Sequence, residues 1–92
     1  MMKYVIKPTN RFNKDCALAK KRGKDLKKLY AVINKLAVGA ELEQKYKDHA
    51  LSGLFEGCRE CHIEPDWLLI YQVFDDVLVL VLNRTGTHSD LF

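Results

Sequence analysis

Proline and glycine are scarce in this chain, two and five residues of 92. That scarcity excludes collagen-like repeats and Pro/Gly-rich low-complexity sequence. No apolar stretch approaches the roughly 18 residues of a membrane-spanning helix. The opening Met-Met-Lys-Tyr-Val-Ile-Lys-Pro has neither the long apolar region nor the small-residue cleavage site of a secretory signal, so a cytoplasmic protein without membrane contact is expected. Cysteine is too sparse for a disulfide framework: Cys16, Cys58 and Cys61 are an odd number, which fits reduced thiols. Cys58-Arg-Glu-Cys61 has the spacing of a redox or half-zinc motif, but it has no second pair and precedes a strand-like segment instead of opening a helix.

What is present suffices for one packed unit. Hydrophobic residues make up 48% of the chain, which argues against disorder, and a length of 92 residues supports a single domain, 1–92. The net charge of +3 hides an asymmetry: residues 1–50 carry a balance of +8 and residues 51–92 a balance of −5. Lys14, Lys20, Lys21, Arg22, Lys24, Lys27 and Lys28 concentrate the positive charge. Such a density suits a polyanion such as nucleic acid, although a solvated helical face also reads this way.

The periodicity predicts strand, helix, helix, then three strands. Lys3 to Lys7 alternates as a strand ended by Pro8, and Thr9 or Asn10 can cap a helix with its apolar stripe on Phe12, Cys16 and Ala19. Gly23 stops it, and Asp25 opens a second helix with a stripe of Leu26, Leu29, Tyr30, Ile33, Leu36 and Ala37, ending near Gly39. A two-to-three-residue connection makes the pair an antiparallel helical hairpin. Residues 41–57 read as loop with a short strand around Leu54-Phe55. The strands Arg59 to Glu64, Trp67 to Phe74 and Val77 to Thr85, joined by Pro65-Asp66 and Asp75-Asp76, form an antiparallel meander. Val77 to Leu82 is apolar on both faces and suits a central strand. The expected class is α+β, with two helices on one face of an antiparallel sheet.

The three histidines fall at the edges of these elements: His49 in the loop after the helices, His62 near the end of a strand, and His88 beyond the last strand. Asp66, Glu60 and Arg84 lie near them in sequence. Imidazole exchanges protons near neutral pH, its unperturbed pKa being about 6.5. The metal-free chemistry that fits the group is RNA cleavage through the substrate's own 2′-hydroxyl: one residue removes its proton, another protonates the departing 5′-oxygen, and the guanidinium of Arg84 stabilises phosphoryl charge. Zinc is the rival use, with Asp66 as a fourth ligand, but no local pair such as H-x-x-x-H is present. Trp67, Tyr71 and Phe74 read as core or sheet-face residues, whereas terminal Phe92 either caps the core or stacks beside His88.

At these residues the sequence resembles the YafQ-type toxins of the RelE/ParE superfamily of toxin–antitoxin systems. The resemblance runs from Phe12-Asn13-Lys14-Asp15 through Tyr46-Lys47-Asp48-His49-Ala50-Leu51-Ser52-Gly53 and Arg59-Glu60-Cys61-His62-Ile63-Glu64-Pro65-Asp66-Trp67 to the final block Arg84 to Phe92. It implies a RelE-like β-α-α-β-β-β fold with a short C-terminal tail or helical turn. It further implies an endoribonuclease that cleaves mRNA in the ribosomal A site without a metal or other cofactor, is neutralised by a cognate antitoxin, and reaches operator DNA only through the toxin–antitoxin complex. Carried onto matching positions, the catalytic set is His49, His62, Asp66 and His88, with Arg84 and Phe92 in support and Glu60 at a position that is Asp in the family pattern. The resemblance does not divide the roles among the histidines; the working assignment makes His49 or His62 the general base and His88 the general acid, with the basic helical residues from Lys14 to Lys28 holding 16S rRNA. The alternative within the superfamily is a non-catalytic member acting by binding, as a gyrase inhibitor or as a co-repressor with its antitoxin. A stand-alone RNA-binding domain would account for the charge but not for the histidines.

Overall fold

The computed structural model describes residues 2–92. The order of elements is β1 (Val5–Pro8), α1 (Asn10–Lys21), α2 (Leu26–Ala37), β2 (His49–Ala50), β3 (Arg59–Glu64), β4 (Trp67–Phe74), β5 (Val79–Gly86) and α3 (His88–Leu91). Single 3-10 turns at Gln44–Tyr46 and Gly53–Phe55 flank β2. The five strands form one sheet in the order β1-β5-β4-β3-β2.

Local chemistry sets the helix limits. The Thr9 side chain accepts from the backbone N–H of Phe12 at 3.0 Å, and Asp25 accepts from that of Lys27 at 3.0 Å, each satisfying a donor that the first helical turn leaves unpaired. Gly23 and Gly39, just past the two helix ends, take φ of +82° and +81°, a region that L side chains rarely enter. Of the expected stripe on α2, Leu29, Ile33, Leu36 and Ala37 are buried, but Tyr30 is exposed; Val32, one step along the same face, is buried in its place.

The antiparallel meander of β3, β4 and β5 is as expected. Four details differ from the sequence-based expectation. First, β1 pairs in parallel with β5, from Val5↔Val79 to Pro8↔Leu82, so the sheet is mixed. Pro8 is tolerated there because an edge strand leaves one row of backbone groups unpaired. Second, the strand buried on both faces is β4: Trp67, Leu69 and Tyr71 enter the large core under the helices, while Leu68 and Ile70 join Leu91 in a smaller core on the other face. The apolar run at 77–82 is only half used, because Val77 and Leu78 sit in the β4–β5 turn, Leu78 at φ +54°. Third, Leu54-Phe55 lies in a 3-10 turn, and the short strand is His49–Ala50. Four residues, not two or three, join the helices.

A buried relay holds β4 to β5: the Trp67 indole N–H donates to Thr85 Oγ1 at 3.0 Å, and the Thr85 hydroxyl donates to the Leu68 carbonyl at 2.6 Å. Cys61 is fully buried, and burial pushes its thiol up to about 12; the half-buried Cys16 rises to about 11 for the same reason. All three cysteines are free. Such thiols are packing groups without nucleophilic character. Among the described residues no helix is long and apolar enough to cross a membrane.

Candidate active site

Strand register assembles the site. His49 pairs with Glu60, Glu60 with Ile70 and Ile70 with Arg84, forming one row across the sheet. The next row on the same face contains His62, Leu68 and Gly86. Alternate residues of a strand share a face, so the rows stand about 7 Å apart. Both rise on the side of the small core of Leu68, Ile70 and Leu91, away from the large helix-covered core.

The C-terminal turn brings His88 to this face. Thr87 and Asp90 form a reciprocal capping box: the Thr87 side chain accepts from the Asp90 N–H at 3.2 Å, and Asp90 accepts from the Thr87 N–H at 3.0 Å. Arg22 grips the same carboxylate with two N–H groups at 2.6 and 3.2 Å, tying α3 to the end of α1. Gly86 leaves room for this approach, since a Cβ at that position would lie 3.0 Å from the Asp90 side chain. The Thr87-Asp90 spacing is itself a readable capping signal that the histidine pattern alone does not exploit.

Asp66, in the β3–β4 turn, accepts from both the backbone N–H of His88 at 2.8 Å and its ring Nδ1 at 2.6 Å. These donors hold the Asp66 carboxyl below its ordinary range, the backbone bond being the larger cause. The His62 ring stands 5.8 Å from that of His88, centroid to centroid, inclined at 57°. Its Nδ1 faces the Pro65 carbonyl at 3.3 Å. A carbonyl only accepts, so Nδ1 carries the proton and Nε2 keeps a lone pair in the neutral ring.

His49 is built differently. Its Nδ1 lies 2.8 Å from the Lys47 carbonyl and its Nε2 lies 3.1 Å from Glu60 Oε2. Both ring nitrogens of His49 are therefore engaged within the protein. Lys47 reaches this position in the left-handed region, at φ 50°. Glu60 has a side chain only 7% exposed, and its Oε1 is buried without a hydrogen-bond partner. Asp48, which sequence reasoning missed, fixes the approach to β2: it accepts from the Tyr71 hydroxyl at 2.7 Å and pairs with Arg59 at 3.2 Å. Burial, reinforced by Asp48, pushes the Tyr71 hydroxyl pKa up.

Arg84 and Phe92 are both engaged within the fold. Arg84 binds Asp15 of α1 through Nε at 2.7 Å and Nη2 at 3.2 Å, and the same carboxylate takes the Thr85 N–H at 3.1 Å. β1 pairs with β5 only as far as Leu82, so Asp15 satisfies part of the edge beyond it. Exposed Phe92 packs edge-to-face on Phe55 at 5.6 Å, placing it beside the small core. Of the basic residues, Arg22 pairs with Asp90, and Lys24 and Lys28 both pair with Glu64. Lys14, Lys20, Lys21 and Lys27 are exposed and make no ion pair among the described residues. Among the described residues no cluster of three or more His, Cys, Asp or Glu side chains is disposed to hold a metal.

The architecture and this exposed histidine–carboxylate face define a small α+β toxin of the RelE-like kind: the structure superposes on YafQ from E. coli strain BL21(DE3) with a TM-score of 0.91 and 41% identity, covering 97% of this chain and 98% of that one. Residues 4–92 match the family described as the bacterial toxin of type II toxin–antitoxin systems, YafQ, and the chain belongs to that family. The mRNA interferase toxin YafQ of E. coli K12 is 42% identical to it over 93 residues, which takes in all of this chain and 99% of the relative. The E. coli DinJ–YafQ toxin–antitoxin complex superposes with a TM-score of 0.89 at 41% identity over 99% of both chains. A metal-bound toxin from Helicobacter pylori does so with a TM-score of 0.90 at 44% identity over the whole of both chains.

Proposed function

We propose that this chain is an endoribonuclease that cleaves mRNA on the ribosome through acid–base catalysis, and that a cognate antitoxin neutralises it. The observation that carries the reading is the exposed His88–Asp66 pair with the His62 ring 5.8 Å away. Two imidazoles at that separation can serve the two ends of one phosphodiester. His62 takes the 2′-hydroxyl proton on Nε2, and the freed oxygen attacks the adjacent phosphorus. The bond from phosphorus to the 5′-oxygen breaks, His88 gives that oxygen a proton from Nε2, and the products are a 2′,3′-cyclic phosphate and a 5′-hydroxyl. Asp66, bonded to Nδ1, orients the His88 ring and stabilises its protonated form. His49 and Glu60 stand in the neighbouring row of the same sheet face and border this centre. Arg84, tied to Asp15, acts by fixing the end of β5 and thereby the position of α3.

The similarity to YafQ found in a complex with its antitoxin DinJ supports a protein antitoxin as partner; operator DNA would be reached only through such a complex. The exposed lysines of α1, Lys14, Lys20 and Lys21, together with Lys27 on α2, are the surface offered to 16S rRNA. Mapping mRNA ends after induced expression tests the reading. Wild type is expected to produce discrete new ends, and His88→Ala and Asp66→Asn to lower their rate by roughly 10²- to 10⁴-fold with the fold intact by circular dichroism. Near-native cleavage by both variants overturns the assignment, and growth arrest with intact mRNA overturns the activity.

A further inference from the structure

Beside the acid–base pair, on the side of α2, lies a groove of about 510 Å³. That volume falls within the roughly 300–1,000 Å³ of small-ligand sites. Its apolar floor includes Ala31, Tyr46 and Ile63, and Lys28, Lys45 and Lys47 stand around it. Glu64 also lines it and pairs with Lys28, so the lining keeps a net positive charge. His62 belongs to both sites: it lines the groove, and its ring faces His88. Lys47 also belongs to both, because its carbonyl receives His49.

Resting on the nuclease reading, we infer that this groove is a nucleotide subsite that seats the RNA residue next to the scissile bond. An apolar floor bounded by an aromatic side chain accepts a base of any identity, and lysines at the rim take the adjoining phosphate. His62 lines the groove at the free edge of β3, so a strand lying in it passes next to the residue that begins the reaction. Lys45 and Lys47 come from the segment between α2 and β2, outside the basic run of the two helices. They add a second positive surface whose task is positioning the substrate. A protein ligand with acidic side chains is the competing occupant, but carboxylates would leave the apolar floor unused.

A nuclear magnetic resonance titration of the full chain with an uncleavable 2′-O-methyl trinucleotide tests the subsite without requiring cleavage. Shifts are expected at the amides of Tyr46, Lys47, Ile63 and Glu64. The double variant Lys28→Gln with Lys45→Gln should weaken binding for all sequences alike and reduce the dependence of log affinity on log salt by roughly 0.7 per lysine. Tyr46→Leu, with a native-like spectrum, should weaken binding by roughly 5- to 100-fold. Shifts confined to α1, unchanged affinity in the lysine variant, or equal perturbation of the groove by a hexaglutamate peptide would each overturn the subsite. The nuclease reading stands or falls separately, on the cleavage map.

Discussion

Glu60 keeps one carboxylate oxygen buried in the sheet without a partner, and its other oxygen faces His49. An unsatisfied buried polar group costs about 1–3 kcal/mol, so its retention is explained by its contact with His49 at the site and not by stability. Glu60→Met, of similar length and fully apolar, is therefore expected to raise the melting temperature, by about 4–8 °C for each kcal/mol recovered in a domain of this size, while slowing cleavage. Thermal unfolding and a cleavage assay on the same preparation check both signs, and a lower melting temperature would contradict the account. His49 is half-exposed, so water replaces the lost partner and the usual penalty for breaking a buried pair does not apply on its side. His62 and His88 differ from His49 in presenting only one nitrogen to the protein. That difference separates the three histidines by role, and it is invisible in their sequence spacing.

The turn from β5 into α3 is the element on which the site depends, and it is held by carboxylates. Arg22 and the Thr87 N–H hold the Asp90 carboxyl well below the ordinary carboxylate range, and His88 holds that of Asp66 below it. A carboxyl depressed in the folded state contributes stability fully above its unfolded pKa, about 3.9, and loses it as pH falls through the depressed folded value. Acidification from about pH 5 should therefore loosen α3 before the sheet. Asp90 carries most of this effect, since Asp66 is open to solvent and its interactions are screened. The dependence of melting temperature on pH between 2 and 5 should be flatter in Asp90→Asn than in wild type; equal slopes would contradict the assignment. The elements themselves were largely readable: both helix starts were written in Thr9 and Asp25, and the β3–β5 meander in its alternation and turns. What escaped was tertiary. The two-residue strand at His49 exists only by pairing with β3, and β4 becomes the central strand only because β1 returns to cover β5. The partner of Arg84, Asp15, is 69 residues away in sequence, beyond any local pattern. Conversely, the turn at Pro65-Asp66 was legible, and with the capping box of Thr87 and Asp90, which the sequence reading did not use, it brings Asp66 to His88.

At the scale of the whole molecule, charge and chemistry divide between the halves of the chain. The first half supplies α1 and α2 with their lysines, and the second supplies β3, β4 and the C-terminal turn that carry the reacting groups. The sheet joins them, with one face packed under the helices and the other left for the site around a small apolar core. This division suits a protein that grips a large anionic partner and acts on a strand held within it. The proposed chemistry requires a 2′-hydroxyl next to the scissile phosphate and uses the protein only to move protons. The most direct test is cleavage of a ribosome-bound mRNA carrying a single 2′-deoxy nucleotide at the mapped cut site, compared with the all-ribose message. Loss of cleavage at the substituted position, with 2′,3′-cyclic phosphate and 5′-hydroxyl ends on the ribose control, is the predicted result. Undiminished cleavage at the 2′-deoxy position would contradict the mechanism.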